Sequence, residues 1–204
     1  RGSAYAALGN PANAGKDFRT AISAEPQNAR FHAYLGVLYR HRDPEEAMRV
    51  LDKAISLDPN YAPAYNYRGL LFNDLGQHQK ALQDLDKAIA LDPLLPRAHS
   101  NRAVVYTRLG QYQLALQNSN QAIRLDPSIA QAYNDRGQVY AKLGQLQRAN
   151  QDYEQALAIT DNRPVSAAVS LERARAFFLH GMVFKDLGDF RLAARSLEQS
   201  LLID

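Results

Sequence analysis

Three successive segments, 62–95, 96–129 and 130–163, can be laid over one another without a gap. The period is about 34 residues, a length at which each unit is a pair of helices that gains a core only by stacking on its neighbours. In the first segment the recurring places are Tyr65, Gly69, Phe72, Leu75-Gly76, Ala81, Ala88 and Asp92-Pro93. Each has a physical reason. The small residues let two antiparallel helices approach closely, while Phe72, Leu85, Tyr106, Leu116, Tyr140 and Tyr153 fill the seam around them. Glycine after a first helix supplies a left-handed cap. Asp-Pro stops one helix and opens the next turn.

These places resemble the tetratricopeptide repeat pattern over essentially the whole chain. The resemblance implies an all-α fold, a right-handed α-solenoid of stacked antiparallel helix pairs, forming a single domain over 1–204. Repeats are expected at about 1–28 (partial), 29–61, 62–95, 96–129, 130–163 and 174–204, with an insert at 164–173. Arg1-Gly2-Ser3-Ala4-Tyr5 matches the middle of a first helix, Arg68 to Phe72, so the chain is expected to begin inside a repeat. In 29–61 the Leu-Gly turn gives way to His41-Arg42-Asp43-Pro44-Glu45-Glu46. There Asp43 is the expected N-cap and Pro44 the first helical residue, with Glu45 and Glu46 favourable at the positive helix end. The insert, Pro164 to Arg173, is expected to lengthen the first helix of the last repeat. Leu197, Leu201 and Leu202 give that repeat an apolar outer edge, expected to be covered by further sequence, by a partner or by a second copy.

Several polar positions change together. Arg68, Arg102 and Arg136 precede the small residue of a first helix, and Asp84, Asn118 and Asp152 recur in the second helix. Arg1 and Asp17 fit the same scheme. Where Leu35 replaces the arginine, Val50 replaces the acid; in the last repeat the two places hold His180 and Ser196. The concerted change predicts contact, an Arg–Asp bridge inside each repeat, bidentate where the partner is a carboxylate. Its role is read as structural.

Composition narrows function without naming it. Cysteine is absent, which excludes disulfides and thiolate chemistry but does not choose between cytosol and periplasm. A net charge of +3 with no basic run gives no electrostatic footprint for nucleic acid. No apolar run is long enough to cross a bilayer. His32, His41, His78, His99 and His180 form no metal-binding pair, and no serine stands in a fixed relation to a histidine and an acid. The chain is read as not an enzyme, with no cofactor and no metal.

In the resembled family the first helices line the concave side of the superhelix. That implies a groove bearing Arg30, Tyr34, Val37, Arg40, Asn66, Tyr67, Leu70, Arg97, Asn101, Val104, Arg108, Asn134, Gln138, Lys142 and Phe178. Its basic members outnumber the acidic Asp74 and Asp135, and apolar side chains lie between them. Asn66, Asn101 and Asn134 are candidates to bond a ligand's main chain. Such a groove suits an acidic and apolar peptide or helix of a partner protein. The cation set by which some family members clamp a terminal carboxylate is not assembled here, since Asn66 with Leu70, Asn101, and Gln131 with Asp135 hold those places. The spelling Tyr-Asn-x-Arg-Gly at Tyr65–Gly69 and Tyr133–Gly137 resembles bacterial members that act as adaptors. Two alternatives are a regulatory or targeting segment of a larger enzyme, and a self-assembling array.

Overall fold

The computed structural model describes residues 11–162 and 167–203. Among them the chain is all helical: α1 (Pro11–Ala24), α2 (Ala29–Tyr39), α3 (Pro44–Leu57), α4 (Ala62–Asp74), α5 (His78–Leu91), α6 (Pro96–Arg108), α7 (Tyr112–Leu125), α8 (Ala130–Lys142), α9 (Leu146–Asp161), α10 (Ala167–Asp186) and α11 (Phe190–Leu201). The opening residues with Arg1 and Leu8-Gly9, and Pro164 of the insert, lie outside the described residues. No helix among those described is long and apolar enough to cross a membrane.

Contacts gather the helices into two compact units, one reaching Val105 and one starting at Tyr106. In the first unit α1 to α5 each pack against the next helix, and α2 also touches α4. In the second unit α7 to α11 do the same, and α8 touches α10. This is the packing of stacked antiparallel helix pairs.

The turns explain the recurrent spelling. Asp58, Asp92 and Asp126 each accept, through Oδ1, the backbone N–H two residues on, at 3.0, 3.1 and 2.9 Å. These Asx turns hold the chain extended where proline prevents the helix from continuing. Gly76, at φ +73°, reverses the chain after α4, and the Gln77 N–H then donates to Phe72 O at 2.8 Å. A side chain there would be strained in the left-handed region. The α2–α3 turn dispenses with glycine. Asp43 accepts from the Glu46 N–H at 3.0 Å, and Pro44 opens α3.

The seam is close enough to exclude a methyl group. A Cβ added to Gly69 would lie 2.9 Å from Leu85 Cγ and 3.1 Å from the Ala81 carbonyl oxygen; at Gly137 it would lie 2.6 Å from the Tyr153 ring. Leu85 and Tyr153 are correspondingly buried. Burying each such side chain contributes about 1.5–3 kcal/mol, so the glycines hold the seam by allowing these large residues to enter it. Helix α10 has 20 residues, against 13 in α4, α6 and α8. On it Arg175, the second residue of the 174–204 repeat, meets Asp135 on α8, with Nη2 and Oδ1 3.0 Å apart.

Candidate functional site

Within each unit, side chains spaced at the repeat period tie a first helix to the second helix of its own repeat. Arg68 on α4 meets Asp84 on α5 through two hydrogen bonds, Nε to Oδ2 at 2.7 Å and Nη2 to Oδ1 at 2.9 Å. Arg136 on α8 meets Asp152 on α9 in the same way, at 2.8 and 2.6 Å. The bidentate pairing expected inside these repeats is thus present in both. The hydrogen bond to Asp84, more than any other influence, holds the Arg68 guanidinium firmly protonated, although its burial works the other way. Aromatic rings bracket each arginine: Tyr65 and Phe72 lie 5.8 Å from Arg68, and Tyr133 and Tyr140 lie 5.5 and 6.0 Å from Arg136.

The remaining nitrogen of each arginine reaches back to the preceding repeat, a contact that sequence reasoning missed. Arg68 Nη1 donates to Asp52 at 2.6 Å, Arg102 Nη1 to Asp86 at 2.6 Å, and Arg136 Nη1 to Asn120 at 2.7 Å. The signal was present, since Asp52, Asp86 and Asn120 recur at the repeat period two places after the inner partner. In the last repeat His180 takes the arginine's place, with Ser196 Oγ 3.4 Å from Nδ1 and Glu154 Oε1 3.9 Å from Nε2. Where both places are apolar, Leu35 and Val50 lie buried in one cluster with Phe18.

Two histidines outside this series, His32 and His99, also have structural partners. His32 Nε2 lies 3.0 Å from Pro26 O and His99 Nε2 lies 3.1 Å from Pro93 O. Tyr65 makes the same contact by donating its hydroxyl to Pro59 O at 3.1 Å. Each ring therefore ties the start of a first helix to the turn before it.

In the first unit the expected site residues differ in what they offer. Arg30 and Arg97 are exposed at the starts of α2 and α6, and neither forms an ion pair among the described residues. The Arg30 guanidinium stands 5.9 Å from the Tyr61 ring centre. An aromatic row crosses α1, α2 and α4: Phe18 stacks on Tyr34 at 5.4 Å, and Tyr34 meets Tyr67 at 6.4 Å. Burial raises the Tyr67 hydroxyl above its ordinary value, with Tyr34 adding to the shift and Arg97 opposing it. Val37, Leu70 and Val104 are half-buried.

Other members are already engaged. Arg40 Nε lies 3.1 Å from Asp74 Oδ2, so one basic and one acidic member of the face neutralise each other. Burial lowers the Arg40 guanidinium from its usual value, and Asp74 restores part of the shift. Asn66 and Asn101 are only 2 % and 7 % exposed, and Asn101 Nδ2 donates to Asn66 Oδ1 at 2.9 Å. They join α4 to α6 across successive repeats.

In the second unit Arg108 and Lys142 are exposed, Gln138 is half-buried, and Phe178 on α10 is 51 % exposed. Asn134 is buried. Asp135, the other acidic residue of the expected face, is covered by Arg175. Elsewhere in the first unit an open hollow of about 580 Å³ is lined by Met48, Asp52, Arg68, Phe72, Lys80 and Asp84. Its arginine and both carboxylates are already engaged with one another.

Five models of the tetratricopeptide repeat match the chain, over residues 1–62, 50–83, 69–110, 102–174 and 174–204. No curated protein matches it in sequence. Among solved structures, the APC/C hetero-tetramer Cut9-Hcn1 is similar with a TM-score of 0.90 and 19% identity, over 100% of this chain and 39% of that one. The chain therefore spans about two fifths of that relative's length. PilW, described as a widely conserved type IV pilus biogenesis factor, is similar with a TM-score of 0.76 and 20% identity, over 97% of this chain and 88% of that one. YrrB, described as a TPR protein with an unusual peptide-binding site, is similar with a TM-score of 0.56 and 21% identity, over 92% of each chain. At these identities the likeness is one of fold.

Proposed function

The chain belongs to the tetratricopeptide repeat family, and from that premise we propose that it is a non-catalytic scaffold whose first-helix face holds a segment of a partner protein. The observation that carries this reading lies in the first unit. Arg30 and Arg97 stand exposed without a counter-charge on either side of half-buried tyrosines, whereas the charges of the arginine bridges are matched. Charge left unmatched beside apolar rings suits an acidic and apolar ligand. The peptide-binding site named for YrrB and the assembly named for Cut9-Hcn1 are in keeping with such a role.

The test is affinity capture from source-cell lysate by three forms of the protein: the natural sequence, Arg30→Glu/Arg97→Glu, and Lys87→Glu at an exposed place on α5. Circular dichroism establishes that all three are folded. A partner retained by the natural sequence and by Lys87→Glu, but lost with Arg30→Glu/Arg97→Glu, is the expected result. Retention by all three would contradict the assignment to this face.

A further inference from the structure

Arg30 and Arg97 occupy the same place in their repeats, the second residue of α2 and of α6, and Pro63 holds that place in α4 between them. Helix α2 touches α4, and the Asn101–Asn66 hydrogen bond ties α6 to α4. The helix places that carry the two guanidiniums are therefore two helix spacings apart, about 16–20 Å at the usual separation of packed helices. That distance is too large for one carboxylate to bridge. An extended peptide advances about 3.3 Å per residue, so it covers the same span in about five or six residues. Tyr34 and Tyr67 share one register place on α2 and α4, and their rings, 6.4 Å apart, lie within this interval.

Resting on the reading above, we infer that this face recognises an extended acidic peptide, with two side-chain carboxylates about five or six residues apart and an apolar side chain between them. Arg30 takes one carboxylate, Arg97 takes the other, and the Tyr34–Tyr67 rings receive the apolar side chain. A terminal carboxylate alone supplies one charge for two arginines. A nucleic acid presents phosphates at every step, whereas the face offers aromatic surface and the mutually bonded Asn66 and Asn101 between its two cations.

The test uses short dye-labelled peptides with a central phenylalanine and two glutamates, the separation varied from about two to about nine residues. Fluorescence anisotropy is expected to give an affinity optimum near five or six. Arg30→Gln or Arg97→Gln should weaken the best peptide about tenfold, and deleting the matching glutamate should abolish that variant's effect, as charge pairs behave in double-mutant cycles. No binding by any peptide, affinity indifferent to separation, or displacement by an oligothymidylate would overturn the inference. Peptide binding lost with Tyr67→Ala but unchanged in both arginine variants would overturn the two-carboxylate inference and leave the face assignment intact. Binding unchanged in all these variants would overturn both.

Discussion

Arg68 and Asp52 lie sixteen residues apart, in successive repeats, and are joined by a 2.6 Å hydrogen bond while the same guanidinium grips Asp84. One side chain thereby ties α3, α4 and α5 together. The two carboxylates differ in surroundings, since the Asp84 side chain is 10% exposed and that of Asp52 is 54% exposed.

That difference sets the energetics. Arg68→Leu strands the buried Asp84 carboxylate and is expected to cost about 2–4 kcal/mol, near the range for breaking a largely buried pair. Arg68→Leu/Asp84→Val reproduces the Leu35/Val50 solution of an earlier repeat and should recover at least half of the loss. Asp52→Asn should stay within about 0.5 kcal/mol, as exposed ion pairs do. Urea denaturation checks all three. Equal losses in the single and double variants would contradict the account.

The inner pairing was legible because four repeats spell it in three concerted ways: Arg68 with Asp84 and Arg136 with Asp152, Leu35 with Val50, His180 with Ser196. The outer contacts to Asp52, Asp86 and Asn120 carry the same periodic signal. They were missed because partners were sought only within a repeat. Asn66 and Asn101 were not legible as a pair, because an asparagine on a first-helix face looks the same in sequence whether it faces solvent or a sister repeat. Arg175 stands at a regular place, the second residue of the 174–204 repeat, but its partner Asp135 lies in the preceding repeat, beyond a reading confined to single repeats.

Two glycines predict two kinds of damage. Gly137→Ala places a methyl group against the Tyr153 ring, 2.6 Å from Cε1, whereas Gly144 has open space but φ +70°. Overpacking at the first costs about 1–3 kcal/mol. The left-handed backbone at the second costs about 1–2 kcal/mol. Combined with Tyr153→Ala, the Gly137→Ala loss should be less than additive because the obstructing ring is gone, and the Gly144→Ala loss should add in full. Thermal melts of the three single and two double variants test this.

His180 makes the last repeat sensitive to acid. Burial lowers its folded-state value below the ordinary 6.5, with Glu154 opposing the shift. Below 6.5 the unfolded chain therefore takes up the proton more readily than the folded one, and stability falls as pH drops toward the lowered value. Above 6.5 the contribution is fully present. His180→Gln should flatten the decline in urea midpoint between about pH 7 and pH 5. An unchanged slope would remove His180 from the acid response.

The cap that replaces glycine between α2 and α3 has its own test. Asp43→Ala removes the acceptor for the Glu46 N–H and should cost about 1 kcal/mol, while Asp43→Asn should cost far less because its side chain still accepts. Urea midpoints for the two variants compare them directly.

The most direct measurement of whether a partner lies on the first-helix face is site-specific photocrosslinking in the source cell. A photoreactive phenylalanine analogue at Tyr67 is compared with the same residue at the exposed Lys87 position on α5. A discrete adduct from position 67, absent from position 87 and lost with Arg30→Glu/Arg97→Glu, is the predicted result. An adduct from position 87 alone, or equal adducts from both positions that survive the arginine changes, would contradict it.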